Sequence, residues 1–200
     1  MKTTRIERWF MNRPHHAQRV ISRADRLLSF VDMSGNQNFL EVGCGSGAVS
    51  KHIAKKYLLK VAGVDVDPDQ IQRAQESVDD IAGIHFLAAD STKLPFRDNL
   101  FGVVLSFGVM HHISNWLDAL GEIRRVLKPK GYFVYYDLIY REGVARFGRS
   151  LTDRCGMKSY GITTMHDLSS FIGKSSFSTI YALQKSSLLW YELEAVYQSD

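Results

Sequence analysis

Three glycines at alternate positions, Gly43, Gly45 and Gly47, directly follow an apolar run at residues 39–42. Beyond them, apolar residues recur at the spacing of one helix face: Val49, Ile53, Ala54 and Tyr57. The pattern predicts a buried strand, a tight turn and a helix, which together form the first half of a βαβ unit. Because glycine lacks a Cβ, such a turn allows a ligand to approach the main chain closely. The stretch therefore predicts an α/β fold with a ligand site at the end of the first strand.

A second apolar run, residues 61–64, ends in Asp65. A carboxylate at the end of a second parallel strand can accept hydrogen bonds from both hydroxyls of a ribose. The next residues predict a helix start, with Asp67 as N-cap, Pro68 at the first position and Gln70 completing a capping box. Since capping accounts for Asp67, Asp65 is the stronger ligand candidate, and Val66 is placed to pack on a nucleobase.

The remaining pattern predicts three more parallel strands, at residues 84–89, 102–106 and 132–137. A helix between the last two of these would be capped by Ser114 and would bury Leu117 and Leu120. Two further strands at 177–183 and 189–197 are joined by a short connection, which makes them antiparallel. We therefore expect an α/β, doubly wound, mostly parallel seven-stranded Rossmann-like sheet that ends in a C-terminal antiparallel hairpin.

One domain is expected over residues 1–200, because no repeat or linker interrupts the pattern. Within it, residues 1–35 read as an N-terminal helical extension, with an amphipathic helix that ends at Gly35. Residues 138–160 form a basic, glycine-punctuated stretch, which we expect to cover the mouth of the ligand cleft.

Four segments in order carry a resemblance to a known family. They are E-x-G-x-G-x-G from Glu41 to Gly47, A-D-S-T-K-L-P-F at 89–96, S-F-G-V-M-H-H-I at 106–113, and L-K-P-K-G at 127–131. Residues 39–137 thereby resemble the class I S-adenosylmethionine-dependent methyltransferases. The third segment is most similar to the small-molecule branch that includes the ubiquinone and menaquinone biosynthesis and type 11 methyltransferases. Lys130 departs from the family's usual L-K-P-G-G.

The resemblance implies S-adenosylmethionine as cofactor and S-adenosylhomocysteine as product. It also implies that an acid fixes the glycine loop, that the loop passes under the amino-acid end of the cofactor, and that later residues contact ribose and adenine. The implied cofactor-binding residues are Glu41, Gly43, Cys44, Gly45, Gly47, Asp65, Val66, Asp90, Ser91, Ser106 and Phe107. For Asp90, a loop cap is the alternative role.

The resemblance further implies methyl transfer to a small-molecule acceptor by in-line displacement. His112 and then His111 are the nearest candidate bases, since both follow the fourth strand at its carboxyl end. The alternative is that both histidines line the cleft without transferring a proton. The sequence leaves open whether oxygen, nitrogen, carbon or sulfur is methylated.

Two other functions compete with methyl transfer. Gly43, Gly45 and Ala48 also satisfy G-x-G-x-x-G/A, which is typical of nicotinamide-dependent dehydrogenases. A catalytically silent binding protein on the same fold is the second alternative, because fold does not determine function.

The net charge of +4 is concentrated in two flanks. Residues 1–31 carry seven Lys and Arg against two Asp and Glu, and residues 138–174 carry six against three. These flanks predict an anionic partner, which is an anionic acceptor, a membrane surface or nucleic acid, or else they form only a solvated face. Candidates for the lining of an aromatic or lipid-like acceptor pocket are Trp9, Phe10, Tyr140 and Phe147, and the alternative is that they belong to the core.

Other partners and sites are not indicated. The sequence has no strong nucleic-acid signal, and no apolar run is long enough to cross a membrane. Cys44 and Cys155 form neither a disulfide framework nor a metal-ligand spacing, so no metal is expected. We predict a cytoplasmic protein of undetermined oligomeric state.

Overall fold

A computed structural model describes residues 14–35, 38–78, 81–147, 161 and 163–200. Its strands are β1 (Asn38–Val42), β2 (Lys60–Asp65), β3 (Ile84–Ala88), β4 (Phe101–Phe107), β5 (Leu127–Tyr140), β6 (Phe177–Ser186) and β7 (Trp190–Ser199). Its helices are α1 (Pro14–Leu28), α2 (Ala48–Tyr57), α3 (Pro68–Glu76), α4 (Trp116–Val126) and α5 (Met165–Lys174), with a 3-10 turn at Met110–His112.

The seven strands form a single sheet in the order β3-β2-β1-β4-β5-β7-β6. Strands β1 to β5 are parallel, and β7 runs antiparallel to both β5 and β6. This confirms the predicted doubly wound sheet and its C-terminal hairpin. The strand order reverses between β1 and β4, and ligands of such sheets bind beyond the carboxyl ends of the strands at this point.

Each face of the sheet carries its own apolar core, as a sheet between two helical layers requires. Helices α4 and α5 cover one face, where Leu120, Ile123, Phe133 and Leu168 are buried. Helices α1, α2 and α3 cover the other face, where the buried residues include Leu27, Ile53, Ile71 and Val134. Alternate residues of β5 therefore point into different layers. Tyr136 lies on the face covered by α1, and Asp137 lies on the face covered by α4.

Two predicted helix starts differ in detail. Asp67 caps α3 as expected, since its carboxylate accepts a hydrogen bond from the Asp69 amide at 3.1 Å. The capping box is not made, because the Asp67 amide donates to Asp65 instead. The side-chain amide of Gln70 is buried without a hydrogen-bond partner among the described residues.

Helix α4 begins after Asn115 rather than Ser114. Leu117, predicted on its buried face, is 48% exposed, and Ala119 is buried instead. Leu120 is buried as predicted, so the difference is confined to the first turn, where Trp116 enters the core in place of Leu117.

The two flanking segments are described in part. Residues 1–13, including Trp9, and residues 148–160 lie outside the described ranges. Helix α1 ends at Leu28, before Gly35. Residues 138–140 continue β5, and residues 142–147 are helical, with Phe147 71% exposed. Within the described ranges, no helix has the length and apolarity that a membrane span requires.

Candidate active site

The glycine turn joins β1 to α2 and is bonded to β2. The amides of Gly43 and Cys44 both donate to the carbonyl of Val64, at 2.8 and 3.0 Å, and the Gly47 amide donates to the Cys44 carbonyl at 2.9 Å. All three glycines have positive φ, at +78°, +52° and +78° in chain order. The turn is therefore held by its own main chain before any ligand is considered.

The three glycines are needed for different reasons. A Cβ on Gly43 would lie 2.2 Å from Val109 Cγ2, and one on Gly47 would lie 2.4 Å from Phe86 Cζ. A Cβ on Gly45 would meet no protein atom within 4 Å among the described residues. Packing within the protein thus requires the first and third glycines, whereas the space beside Gly45 is open to a ligand.

Glu41 is buried at the end of β1 and joins this strand to α2, since it accepts a hydrogen bond from the hydroxyl of Ser50. Burial raises the pKa of Glu41 to about 7, although the Ser50 hydroxyl acts in the opposite direction. Its contacts are made with the protein framework of the turn, which suits the predicted role of fixing the loop.

Asp65 lies beside the turn and binds it directly. Its Oδ2 accepts from the Gly45 amide and its Oδ1 from the Asp67 amide, both at 2.9 Å. Burial raises the pKa of Asp65, and these two amides act against that rise. Because a carboxylate offers about four acceptor positions, capacity for ligand hydroxyls remains. Val66, 48% exposed, presents apolar surface next to it.

Cys44 does not offer a reactive thiol. Its side chain is buried, and its Sγ contacts the Gly45 carbonyl oxygen at 3.6 Å. Burial, together with the charges of Glu41 and Asp65, raises the pKa of this thiol. A thiolate nucleophile is therefore disfavoured here, and the residue acts as a small apolar member of the turn.

Asp90 lies at the same edge of the sheet as Asp65, because the Ala89 amide donates to the Asp65 carbonyl at 2.9 Å. Its Oδ1 accepts from both the amide and the hydroxyl of Thr92, each at 2.8 Å. The loop-cap role is therefore real. Its Oδ2 accepts no hydrogen bond from the described residues and remains available to a ligand amino group. Ser91 follows it and is partly exposed.

The end of β4 contributes Ser106 and Phe107. The Ser106 hydroxyl is fully buried and has no hydrogen-bond partner in the described part of the chain. The ring of Phe107 meets that of Tyr136 edge to face, with centroids 6.0 Å apart. These residues form the wall between the glycine turn and β5.

His111 and Asp137 form a hydrogen-bonded pair at the carboxyl edge, with His111 Nδ1 2.5 Å from Asp137 Oδ1. Asp137 is fully buried, and its carboxylate also accepts from three main-chain amides, those of Val109 at 3.0 Å, Met110 at 2.7 Å and Leu138 at 2.7 Å. Both oxygens of this buried carboxylate are thereby hydrogen-bonded. An ionised carboxylate can only accept, so in that state of the pair His111 Nδ1 donates the hydrogen bond and Nε2 is left as the basic nitrogen.

His112 lies next to this pair, with its ring centroid 3.9 Å from that of His111. The sequence placed His112 first among the candidate bases and His111 second, and the hydrogen bond to Asp137 is made by His111. Asp137 was not recognised from the sequence as a functional residue. The available signal was its position, an acid directly after the apolar core of the fifth strand, as Asp65 is after the second.

Val109 connects the glycine turn to the hydrogen-bonded pair of His111 and Asp137. Val109 packs against Gly43, and the amide of the same residue donates to Asp137. A ligand that lies over the turn is thereby brought close to His111, although the turn and the fifth strand are far apart in sequence.

A family model described as a methyltransferase domain matches residues 40–135. A Caenorhabditis elegans sterol 4-C-methyltransferase is 36% identical over 113 residues, which is 54% of this chain and 33% of that protein. A fatty-acid O-methyltransferase of Mycolicibacterium smegmatis is 34% identical over 123 residues, which is 61% of this chain and 44% of that protein. The chain thus spans less than half the length of these curated relatives.

One solved structure, described as that of a sarcosine dimethylglycine methyltransferase from Galdieria sulphuraria, superposes on this chain with a TM-score of 0.77. The match covers 92% of this chain and 86% of that one, at 15% identity. At this identity the likeness supports the fold alone.

Proposed function

We propose that this chain, whose residues 40–135 match a methyltransferase-domain family model, belongs to the class I S-adenosylmethionine-dependent methyltransferases. It transfers the methyl group of that cofactor to a small-molecule acceptor, with His111 as general base. The observation that supports the base most directly is the hydrogen bond between His111 and the buried Asp137, beside the glycine turn. The family match favours this function over a nicotinamide-dependent dehydrogenase.

The described residues fit the cofactor. The open space beside Gly45 suits its amino-acid end, and the remaining acceptor capacity of Asp65 suits the two ribose hydroxyls. Val66 offers apolar surface for the adenine, and Asp90 Oδ2 offers an acceptor for its amino group. When bound, S-adenosylmethionine supplies a methyl group on a positively charged sulfur, already activated for displacement.

The protein then has to position the acceptor and remove its proton. With S-adenosylmethionine bound, His111 Nε2 would accept the proton of the acceptor's nucleophilic atom as that atom took the methyl group. The carbon–sulfur bond of the cofactor would break in the same step and leave S-adenosylhomocysteine. Asp137 keeps the proton on Nδ1 and stabilises the imidazolium that results. The general base thereby acts without a change in the charge of Asp137.

We further propose an acceptor that is aromatic or extended and carries an anionic group. The excess of basic residues near α1 supports the anionic group. The names of the relatives, a sterol and a fatty-acid methyltransferase, support an extended apolar body.

A first test separates catalysis from binding. We expect His111→Gln to lower kcat about 10²–10⁴-fold, the usual contribution of a general base, and to leave S-adenosylhomocysteine affinity within about twofold. Turnover is measured with radiolabelled cofactor on an acceptor found by screening, and affinity by calorimetry. His112→Gln is the matched control and should retain most of the activity.

Two results would contradict the proposal. If His112→Gln abolished turnover and His111→Gln did not, the base would be the other histidine. If the protein bound the cofactor but methylated no acceptor in the screen, the silent binding protein would be the better description.

A further inference from the structure

A cavity of about 630 Å³ lies between α1 and the sheet, on the face opposite to α4 and α5. Helix α1 lines it with Arg19, Arg23 and Arg26, and the sheet lines it with Tyr136 and Lys185, among others. Tyr136 lies near the carboxyl end of β5, and Lys185 lies near the carboxyl end of β6. The cavity therefore opens at the same edge of the sheet as the glycine turn.

The cavity has an excess of positive charge. Its two carboxylates are Glu192 and Glu194, against four Arg and Lys. Glu194 forms ion pairs with Arg23 and Arg26, with nitrogen–oxygen distances of 2.9 and 2.6 Å. Arg19 makes no ion pair with any residue in the described ranges.

One guanidinium in the cavity is held in a fixed position. Arg23 stacks on the ring of Tyr136, with its Cζ 3.6 Å from the ring centroid, and its Nε donates to the buried Glu194. Its terminal amino groups donate to no described residue, so their N–H groups are available to a ligand. A planar guanidinium fixed in this way is suited to bind a carboxylate or phosphate through two parallel hydrogen bonds.

The position of the cavity favours the acceptor over the cofactor as its ligand. Neighbouring strands lie about 4.8 Å apart, so β7 is about 14 Å from β1, where the glycine turn begins. In contrast, Tyr136 contacts Phe107, which lies four residues before His111. Phe107 thus links the cavity to the segment that carries His111. Because Tyr136 and Asp137 point to opposite faces of the sheet, an acceptor that reached both the cavity and His111 would pass over the carboxyl edge of the sheet.

We propose that this cavity binds the anionic group of the methyl acceptor, a carboxylate or a phosphate, while the nucleophilic end of the acceptor lies at His111. The inference depends on the proposed function, because it assigns a part of the acceptor to a part of the same site. Arg19 and Lys185 supply positive charge without an ion pair in the described ranges, although Glu192 lies opposite Lys185 in the sheet. Arg23 supplies the fixed hydrogen-bond donors.

The test compares anionic and neutral probes on the full chain saturated with S-adenosylhomocysteine. Decanoate and decyl phosphate are the anions, and decan-1-ol is the neutral probe of equal chain length. We expect both anions to bind and the Arg19→Gln/Lys185→Gln double variant to bind them at least tenfold more weakly, as expected for lost charged contacts. Binding of decan-1-ol should not change. Arg73→Gln, an exposed charge change on α3, is the control.

The outcomes distinguish this inference from the function on which it depends. A wild-type chain that binds S-adenosylhomocysteine but neither anion would overturn the cavity assignment and leave the methyltransferase function standing. The same holds if the double variant lost affinity for S-adenosylhomocysteine while the anions bound normally, since the charge would then serve the cofactor's carboxylate. Failure to bind S-adenosylhomocysteine at all would instead contradict the proposed function.

Discussion

Glu41 is a single carboxylic acid whose protonation is coupled to folding. Burial raises its pKa from 4.5 to about 7, so between these values the folded chain holds a proton that the unfolded chain has lost. An acid with a raised pKa stabilises the fold fully below its unfolded pKa. Its contribution to the free energy of unfolding then falls as pH rises, and the fall is complete above about pH 7.

We therefore expect the stability of the ligand-free protein to decline between about pH 4.5 and 7 more steeply than that of Glu41→Gln. The difference across this window should be on the order of 3 kcal/mol, from the two pKa values. Urea unfolding at several pH values measures it. Parallel stability curves for the two proteins would show that Glu41 keeps an ordinary pKa.

The glycines of the turn allow a matched comparison. Gly47→Ala places a methyl group against Phe86 at positive φ, so we expect the free energy of unfolding to fall by about 2–4 kcal/mol. Gly45→Ala meets no described neighbour and should cost only about 1–2 kcal/mol. The same methyl group enters the ligand space, so S-adenosylhomocysteine affinity should fall about tenfold or more.

Thermal unfolding and calorimetry on the two variants separate these effects. An unchanged affinity in Gly45→Ala would mean that the open space beside this glycine is not where the cofactor lies.

At the residue scale, the sequence predicted those site residues that belong to local patterns. Asp65 ends β2, Asp90 follows β3 by two residues, and the three glycines lie at alternate positions. Asp137 was missed because its partner is 26 residues away, and no periodicity relates the two. Choosing between His111 and His112 likewise required knowledge of which ring reaches the carboxylate.

At the scale of elements, apolar runs predicted all seven strands, but their ends were less certain. Strand β5 begins at Leu127 because this residue pairs with Phe101 in β4, which the turn-like sequence L-K-P-K-G does not reveal. In the same segment Lys130 is exposed and has a φ of +59°. A side chain in this left-handed conformation is strained, and glycine is not.

We expect Lys130→Gly to raise the free energy of unfolding by about 0.5–1 kcal/mol, because relief of strain outweighs the added freedom of the unfolded chain. Lys128→Gly, two residues earlier at a position without positive φ, is the control and should destabilise. Urea unfolding of both variants measures the effect. Equal destabilisation would indicate that Lys130 adopts an ordinary conformation in solution.

At the scale of the whole molecule, Glu194 connects the first described helix to the last strand. Burial opposes its ionisation, but hydrogen bonds from Arg26 and Arg23 outweigh this and lower its pKa. The stabilisation is therefore present at neutral pH and is lost as pH falls through the lowered pKa. The pairing of α1 with β7 could not be read from the sequence, since the partners are 171 and 168 residues apart.

We expect Glu194→Gln to lower the free energy of unfolding at pH 7 by about 1–3 kcal/mol, because two arginines lose a buried charged partner. Glu192→Gln, a partly exposed acid without an ion pair among the described residues, should change stability by no more than about 0.5 kcal/mol. Chemical denaturation compares them. If Glu194→Gln left the free energy of unfolding unchanged, α1 would be held on the sheet by apolar packing alone.

The antiparallel strand β7 also determines the order in which this molecule can be completed. Strand β6 is synthesised before β7, yet it does not pair with β5, because β7 lies between them. During synthesis on the ribosome, the outer edge of β5 therefore stays open until β7 emerges and inserts. An open edge can pair with the wrong strand or with another chain. The cavity between α1 and the sheet, which needs Glu192 and Glu194, is thus among the last features of a newly made chain to form.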